Sequence, residues 1–334
     1  MTGRTADARA ESPRPSPSHR TAGRRVATAL GWLAIAPAAF AVVARAASLE
    51  AGPLALLVAL APWALLGAAV AVVLAVVGRS AVLAAAAVIV AMPVVLWNAP
   101  LWTSGAVPAG PRALTVATVS MTFGQADPHA VVALVRDHEV DVLAIQELTP
   151  EAAEALVAAG LEDELAHDAA YPEPGFTGTG LWSREPLLSE TAVPGFVSRT
   201  IRAELDAVGG LTVVAPHPAA PGPWRHEGWS ADTTALVSLL DGIDGPTLVV
   251  GDLNLTRDHR AFRDLLDQGL IDAVDQAGAG LPMTFPEQRT AFPFVAIDHV
   301  LARDVDFAAT DVDTDVVAGS DHRALVVTYA YPGE

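Results

Sequence analysis

The chain contains no cysteine among its 334 residues. This absence excludes disulfide bonds, thiolate metal sites and a cysteine nucleophile. Oxygen and imidazole chemistry remains, and 38 acidic residues and 9 histidines are present to supply it.

Lysine is absent from residues 111–334, where 12 arginines face 35 acidic residues and the formal charge is −23. Proteins that hold nucleic acid by its backbone use lysine and arginine to displace counterions. The charge balance therefore disfavours nucleic acid as a general partner of this region, although it leaves room for a localised basic patch.

Polar residues are scarce in residues 26–97, and the chain as a whole is 52% apolar with a mean hydropathy of +0.38. The excess lies in residues 26–46, 54–77 and 81–97, which are apolar stretches of bilayer-spanning length. The sequence therefore predicts three transmembrane helices and the lipid bilayer as a partner.

The first apolar stretch has an alternative interpretation as a cleaved signal peptide. Arg24 and Arg25 precede it, and Ala44-Arg45-Ala46 resembles a cleavage site. A signal peptide has an apolar core of about 7–15 residues, which is shorter than this run. A membrane span is the favoured interpretation, and two further spans would anchor the protein in either case.

Arginine placement predicts the orientation of the anchor, because cytoplasmic segments are enriched in lysine and arginine. Arg79 lies between the second and third spans, and Arg45 is the one discordant charge. Six arginines precede the first span: Arg4, Arg9, Arg14, Arg20, Arg24 and Arg25. We therefore expect residues 1–25 to form a disordered cytoplasmic tail, 98–112 a linker, and 113–334 an extracytoplasmic catalytic domain in a multi-pass cell-membrane protein.

Strand and helix patterns alternate from Ala113 onward. Helices are predicted after two cap-then-proline pairs, Asp127-Pro128 and Thr149-Pro150, and over 230–240 and 258–266. A hairpin is predicted at Gly209-Gly210. The apolar runs predict strands over 114–119, 140–145, 180–183, 201–205, 211–215, 247–250, 296–301 and 324–329.

Four clusters of acidic, amide or imidazole side chains directly follow apolar runs of strand type. They are Gln146-Glu147, His217-Pro218, Gly251-Asp252-Leu253-Asn254 and Ser320-Asp321-His322. Strands that deliver such groups to one rim are typical of metal-dependent hydrolases.

Together with Ile297-Asp298-His299-Val300 and Arg323, these clusters resemble, in this order, the endonuclease/exonuclease/phosphatase superfamily. The resemblance covers residues 113–330, and Leu181–Leu187 and Met283–Pro286 add to it. It implies an α/β (α+β) four-layered sandwich of two packed β-sheets flanked by helices, here preceded by three transmembrane helices. It also implies hydrolysis of phosphoester bonds assisted by a divalent cation, Mg²⁺ or alternatively Mn²⁺.

The resemblance implies catalytic roles for five residues. Asp252 and Asn254 match the pair that positions and deprotonates the attacking water, and Asn254 also holds phosphoryl oxygens. His322 matches the catalytic histidine and Asp298 the carboxylate that orients it. His217 would supply a second imidazole to the phosphate.

The resemblance also implies a set of metal ligands. Glu147 matches the family's metal-binding glutamate, and Asp321 would lie beside the metal, while Gln146 is interpreted as structural support. Ser120 stands where the family has an asparagine that helps to hold the metal. A hydroxyl is a weaker oxygen ligand than an amide carbonyl, so this departure predicts lowered metal affinity or rate. His226, His259 and His299 lie near the motifs and match no role.

Three functions fit these observations. The first is an external phosphatase or phosphodiesterase that acts on a phosphorylated small molecule or a lipid phosphate or pyrophosphate. Membrane-tethered members of the superfamily, including a teicoplanin-resistance (VanJ-like) branch, share the layout of helical anchor and external domain, which suggests undecaprenyl pyrophosphate. The second is an extracytoplasmic nuclease, which the −23 charge opposes. The third is a membrane module that has lost catalysis at Ser120. The sequence leaves the oligomeric state and the number of metal ions undetermined.

Overall fold

A computed structural model describes residues 17–105, 110, 112–206, 210–223, 226–287 and 292–332. The chain divides into two compact units, one formed by the residues up to Phe40 and Trp63–Val94, the other by Ala41–Pro62 and Val95 onward. Expectations for residues 1–16 and for Gly209 lie outside the described residues.

The anchor region consists of four helices, of which three are long and apolar enough to cross a membrane when flanking turns are included: Thr21–Ala46, Ala61–Gly78 and Ala81–Trp102. Leu33, Val76 and Ile89 are each at least 70% exposed, as expected of side chains whose natural solvent is lipid. The helices are α1 (Pro17–Ala46), α2 (Pro53–Ala59), α3 (Ala64–Gly78) and α4 (Ala81–Asn98).

Two boundaries in this region differ from the sequence prediction. Helix α1 begins at Pro17, so the last residues of the predicted disordered tail over 1–25 belong to a helix. The predicted span over 54–77 is interrupted after Ala59, where a short turn over Ala61–Trp63 separates α2 from α3. Pro62 lies in that turn and has no N–H with which to continue the α2 hydrogen-bond ladder.

The second unit contains two six-stranded mixed sheets. The first has the order β11-β12-β1-β2-β4-β3 and the second β5-β6-β7-β8-β10-β9. The strands are β1 (Arg112–Ser120), β2 (Val142–Gln146), β3 (His167–Tyr171), β4 (Thr179–Ser183), β5 (Leu187–Val193), β6 (Thr200–Leu205), β7 (Leu211–Ala215), β8 (Thr247–Asp252), β9 (Ile271–Asp272), β10 (Asp298–Arg303), β11 (Ala308–Val316) and β12 (Arg323–Tyr331).

Six helices follow the anchor in the described chain: α5 (Pro128–Asp137), α6 (Pro150–Ala158), α7 (Leu161–Glu164), α8 (His226–Asp241), α9 (Arg260–Asp267) and α10 (Ala273–Ala277). The predicted caps are present: Asp127 Oδ1 accepts from the His129 N–H at 2.9 Å and Thr149 Oγ1 from the Ala152 N–H at 3.2 Å. Helix α8 begins four residues before the predicted Ser230, because Trp229 turns inward to the core.

The second unit has four layers, which are a layer of helices, the first sheet, the second sheet and another layer of helices. An apolar cluster lies at each of the three interfaces between neighbouring layers. Val116, Val250 and Val300 belong to the cluster between the two sheets. A second cluster joins the first sheet to α5 and α6, and a third joins the second sheet to α8 and α9. The predicted helix–sheet–sheet–helix sandwich is therefore confirmed, and its central strands are buried along most of their length and mainly apolar because both of their faces are covered.

Strands β3, β5, β9 and β11 have no counterpart in the sequence prediction. All four are at sheet edges. Edge strands bury fewer side chains, and β11, with three aspartates and two threonines, lacks the apolar run on which the strand predictions were based. The predicted hairpin is confirmed by the antiparallel pairing of Leu205 with Leu211.

Candidate active site

Five predicted site residues meet at one rim of the sandwich. Glu147 follows β2, His217 follows β7, Asp252 ends β8, Asp298 begins β10 and His322 directly precedes β12. Strand β10 runs antiparallel to β8 with Asp298 opposite Asp252, and β12 runs antiparallel to β1, so strand starts and strand ends share the rim.

His322 and Asp298 form a hydrogen-bonded pair. His322 Nδ1 lies 2.9 Å from Asp298 Oδ2, and both side chains are buried. The Phe285 ring packs on the imidazole with the ring centroids 4.8 Å apart. Thr284 Oγ1 accepts from the Asp298 N–H at 3.4 Å, so the Thr284-Phe285 segment holds both members of the pair.

Asp252 lies between the two imidazoles. Its Oδ2 is 3.8 Å from His217 Nε2 and 4.0 Å from His322 Nε2. Its Oδ1 accepts from the Asn254 N–H at 2.8 Å, and the Asn254 amide donates to the Pro218 carbonyl at 2.9 Å. Asn254 adopts a left-handed φ of 48°, a conformation with an energetic cost that is common at functional sites. The predicted catalytic residues are thus brought together.

The predicted metal ligands lie beside this group. Glu147 Oε2 accepts from the Phe123 N–H at 2.7 Å. Asp321 Oδ1 accepts from the Thr122 hydroxyl at 2.5 Å, and the Asp321 N–H donates to the same hydroxyl at 2.8 Å. Glu147, Thr122 and Phe123 all have positive φ, which marks this turn as a strained part of the rim.

Ser120 is buried at the end of β1, opposite Gln146 in the sheet. Its carbonyl accepts from the Ser320 hydroxyl at 2.8 Å, whereas its own hydroxyl makes only a long 3.4 Å contact with the Thr122 N–H. The Thr122 hydroxyl, which sequence reasoning missed, is the one in direct contact with Asp321. A threonine two residues past a strand end carries no signal of this role in the sequence.

The combined effect of burial and neighbouring charges raises the pKa values of Asp252 and His322 and lowers the pKa of His217. Burial and the Asp298 charge raise the pKa of Asp252 to about 8. Burial, helped by the His322 charge, lowers the pKa of His217 to about 4. Burial opposes the charged form of His322, but Asp298, Asp252 and Asp321 outweigh it and raise its pKa to about 10. At neutral pH His322 is therefore a cation and His217 is neutral.

Two groups of donors fit a divalent cation. Asp252, Asp298 and His322 are buried with ligand atoms within 4.8 Å of one another. Burial and the Asp321 charge raise the pKa of Glu147, so Glu147 and Asp321 form a carboxylate pair whose repulsion a cation would relieve. Glu147 and Asp321 are the better candidate ligands, because Asp298 and His322 already form a hydrogen bond with each other. All-oxygen donors suit Mg²⁺ or Mn²⁺.

Gln146, which the sequence analysis interprets as structural support, is fully buried at the end of β2. Its Oε1 accepts from the Thr118 hydroxyl at 2.9 Å, and a Cβ at Gly251 would lie 3.2 Å from its Nε2. The amide therefore fills the space between the two sheets directly beneath Asp252. The absence of a side chain at Gly251 is required for this contact, since the same Cβ would lie 2.5 Å from the Pro216 carbonyl oxygen.

The three histidines that matched no role stabilise surrounding segments. His299 is buried between Asp272 and the Leu255 carbonyl, at 3.2 and 2.9 Å. His259 Nδ1 accepts from the Thr256 N–H at 2.8 Å, and its Nε2 lies 3.0 Å from the Ala55 carbonyl oxygen. His226 contacts the Trp229 ring.

The segment that follows Asn254 is tied to residues that precede the second span. Arg45 Nε contacts Asp258 Oδ1 at 2.5 Å, with both side chains at most 10% exposed, and the guanidinium stacks over the Trp97 ring at 3.6 Å. The Arg260 N–H donates to Glu50 at 2.7 Å. Ala55 of α2 belongs to the same apolar cluster as Leu253 and Leu255. The positive charge of Arg45, which is discordant with the predicted membrane orientation, is therefore paired with Asp258.

Solved structures share this fold. An endonuclease/exonuclease/phosphatase from Beutenbergia cavernae is 22% identical, with a TM-score of 0.51 over 66% of this chain and 72% of its own. The 3′ phosphatase NExo from Neisseria, bound to a product DNA hairpin, is 19% identical, with a TM-score of 0.51 over 64% and 98%. Humanized D. rerio TDP2 is 16% identical, with a TM-score of 0.52 over 65% and 98%. None of the curated proteins compared with the chain matches its sequence.

The sequence profile of the Endonuclease/Exonuclease/phosphatase family matches residues 121–322. The matched segment covers more than half of the chain and runs from the turn after β1 to His322, so it contains every predicted site residue except Ser120. Sequence, fold and rim geometry agree: this chain belongs to the endonuclease/exonuclease/phosphatase family, whose members hydrolyse phosphoester bonds.

Proposed function

We propose that this protein is a membrane-anchored, divalent-metal-dependent phosphoester hydrolase that acts outside the cytoplasm on a lipid phosphate or lipid pyrophosphate. The observation that carries the chemistry is the buried Asp252 between His217 and His322, with Glu147 and Asp321 beside it. The observation that carries the substrate class is the presence of three candidate membrane spans on the same chain.

Each residue at the rim has a chemical task in this proposal. A cation held by Glu147 and Asp321 would neutralise charge on the phosphoryl oxygens. Asp252, with its raised pKa, accepts a proton from the attacking water, and the Asn254 amide orients that water or a phosphoryl oxygen. The His322 cation, held by Asp298, stabilises charge that develops on the phosphoryl group. Neutral His217 donates or accepts a hydrogen bond at the same group.

The contacts of residues 41–62 support the external location. These residues and the catalytic strands belong to one compact unit, so the end of the first span and the start of the second lie on the side of the catalytic domain. Arg45 is paired with Asp258 and does not count as a free positive charge on that side. The remaining arginines of the anchor region then obey the positive-inside rule with the catalytic domain outside.

Phosphate release from a long-chain polyprenyl pyrophosphate by the detergent-solubilised full chain tests the proposal. We expect release that requires Mg²⁺ or Mn²⁺, and an Asp252→Ala variant that loses roughly two to four orders of magnitude in kcat. Asp241→Ala, an exposed carboxylate at the end of α8, is the matched control and should retain full activity. Equal activity of Asp252→Ala and wild type would refute the site.

The runner-up function is an extracytoplasmic nuclease or nucleic-acid phosphatase. The DNA-bound Neisseria phosphatase of the same fold favours it, and the −23 charge of residues 111–334 opposes it. Activity on oligonucleotides that exceeds activity on the polyprenyl pyrophosphate would select this alternative. A chain that binds neither Mg²⁺ nor Mn²⁺ at millimolar concentration would instead be a non-catalytic module.

A further inference from the structure

Two exposed phenylalanine rings lie at the edge of the candidate active site. Phe123 is 53% exposed and Phe176 is 41% exposed. Their ring centroids are 6.3 Å apart and their planes are nearly perpendicular, at 79°, which is the edge-to-face geometry of a favourable aromatic pair. The two rings together form an apolar surface that faces solvent. We refer to Phe123 and Phe176 as the aromatic pair.

The backbone of each ring residue contacts a different polar residue of the site. The Phe123 N–H donates to Glu147 Oε2 at 2.7 Å. The Phe176 backbone lies beside the buried His217 imidazole, whose Nδ1 has no hydrogen-bond partner among the described residues. The aromatic pair is therefore bonded at one end to the candidate metal ligand Glu147 and lies at the other end beside the candidate phosphate-binding His217.

The conformation of Phe123 adds to the unusual character of this position. Its φ is 55°, and Thr122 before it has a φ of 48°. A left-handed conformation at a residue other than glycine costs on the order of 1 kcal/mol or more, and glycine would relieve it. The chain has glycine at the next position, Gly124, and keeps a large apolar ring at 123. An exposed ring on a strained backbone beside the candidate metal ligand Glu147 indicates a contact with something other than the protein core.

The position of the pair defines what that contact is. A phosphoryl group that contacted both Glu147 and His217 would place its esterified group near the two rings, because the backbones of Phe123 and Phe176 lie beside these two residues. Phenylalanine rings carry no polar atom that could bind a sugar hydroxyl or an ion, so two exposed rings favour a hydrocarbon, whose burial removes apolar surface from water.

We propose that the aromatic pair is an apolar subsite that binds the first carbons of the alkyl or isoprenoid chain esterified to the substrate phosphate. This inference rests on the proposed function and names the part of the substrate that the site recognises. The lack of lysine in residues 111–334 and the −23 charge make a nucleobase the less favoured occupant of the same rings.

Binding and turnover of a chain-length series test this subsite. Ethyl, hexyl and dodecyl phosphates serve as substrates, and the matching alkylphosphonates serve as ligands that are not hydrolysed, all with the full chain at constant detergent. We expect KM and Kd of the wild type to fall as the chain lengthens. In the Phe123→Ala/Phe176→Ala variant, the ratio of the dodecyl to the ethyl value of KM or Kd should rise about tenfold, which corresponds to losing the burial of about two methylene groups.

Two further variants separate a subsite from a structural role. Leu188→Ala removes a comparably exposed apolar side chain, 56% exposed on the edge strand β5, and should leave the chain-length dependence unchanged. The single variant Phe123→Leu keeps an apolar side chain on the same backbone and should retain most of the dependence of KM and Kd on chain length. An equal loss for ethyl and dodecyl compounds would overturn the subsite, because the rings would then only support the turn.

The phosphonate series distinguishes failure of this inference from failure of the proposed function. A wild type that hydrolyses no ester but binds dodecylphosphonate more tightly than ethylphosphonate, with the difference lost in the double phenylalanine variant, would refute the hydrolase and support the subsite. Selective loss of binding to short oligonucleotides in that variant, with no effect on alkyl compounds, would assign the rings to a nucleobase and overturn the proposal.

Discussion

At the scale of single residues, Asp252 has the most demanding role in the proposed function, because it is a buried carboxylate whose neighbours include Asp298 and Glu147. Burial and the repulsion from these acids raise its pKa to about 8, which is the range where a carboxylate is an effective base near neutral pH. The same shift means that the carboxyl binds a proton when the pH is below this value. Its catalytic form is the ionised one.

The expected pH dependence follows from that ionisation. Between about pH 6 and pH 8, kcat/KM should rise with pH, by up to about tenfold per unit, because the fraction of ionised Asp252 rises. Near pH 10 the rate should fall again, since His322, whose pKa is about 10, loses its charge. A kcat/KM profile measured at saturating Mg²⁺ tests both limbs. A rate that falls from pH 6 to pH 8 would contradict the role of Asp252.

Ser120 allows a gain-of-function test at the metal site. Its hydroxyl makes only a 3.4 Å contact with the Thr122 N–H, so the position has no strong hydrogen bond to lose. We expect Ser120→Asn to lower the Mg²⁺ concentration for half-maximal activity, because an amide carbonyl is a longer and better oxygen ligand. Calorimetric Mg²⁺ titration of the same variant gives a readout that does not depend on turnover. Weaker Mg²⁺ binding by the variant would show that the serine is not a reduced ligand.

At the scale of elements, the segment between the first and second spans is part of the catalytic unit. Arg45, at the end of α1, pairs with Asp258, which lies four residues after Asn254. Glu50 and Ala55 bind the same segment through the Arg260 N–H and the His259 ring. The segment that contains the catalytic Asn254 is therefore supported from a part of the chain more than 190 residues away in sequence.

Removing Arg45 should destabilise the catalytic unit. In Arg45→Met, the Asp258 carboxylate remains buried without its partner, which costs about 3–5 kcal/mol for pairs of this kind. We expect a lower melting temperature and a lower kcat, and partial recovery of both in the Arg45→Met/Asp258→Asn double variant. Thermal unfolding in detergent and steady-state kinetics measure the two effects. Arg202→Met, an exposed position on β6, is the matched control, and equal effects at the two positions would rule out a specific contribution of the Arg45–Asp258 pair.

The elements also show what the sequence could and could not predict. Apolar runs predicted the central strands, and residues just past their ends predicted most of the rim, because buried strands have few alternatives to an apolar composition. Edge strands such as β11 and the contact of Thr122 with Asp321 could not be predicted, since both depend on which distant segments become neighbours. The partner of Arg45 is a contact of the same kind: it spans 213 positions in sequence.

At the scale of the whole molecule, function depends on which side of the membrane the catalytic rim faces. The external face is required if the substrate is a lipid phosphate of the outer leaflet. The distribution of arginine and the location of residues 41–62 with the catalytic strands both favour that orientation.

The absence of cysteine makes this orientation directly measurable with single-cysteine variants. Ser189 is exposed on β5 of the catalytic unit, and Ser80 lies between α3 and α4. In intact cells stripped of their wall, a membrane-impermeant maleimide should label Ser189→Cys at once and Ser80→Cys only after permeabilisation. Each variant is the control for the other, because both carry the same new thiol on the same unlabelled background. The reverse pattern would place the catalytic rim in the cytoplasm and would exclude outer-leaflet lipids as substrates, while the chemistry at Asp252 would be unaffected.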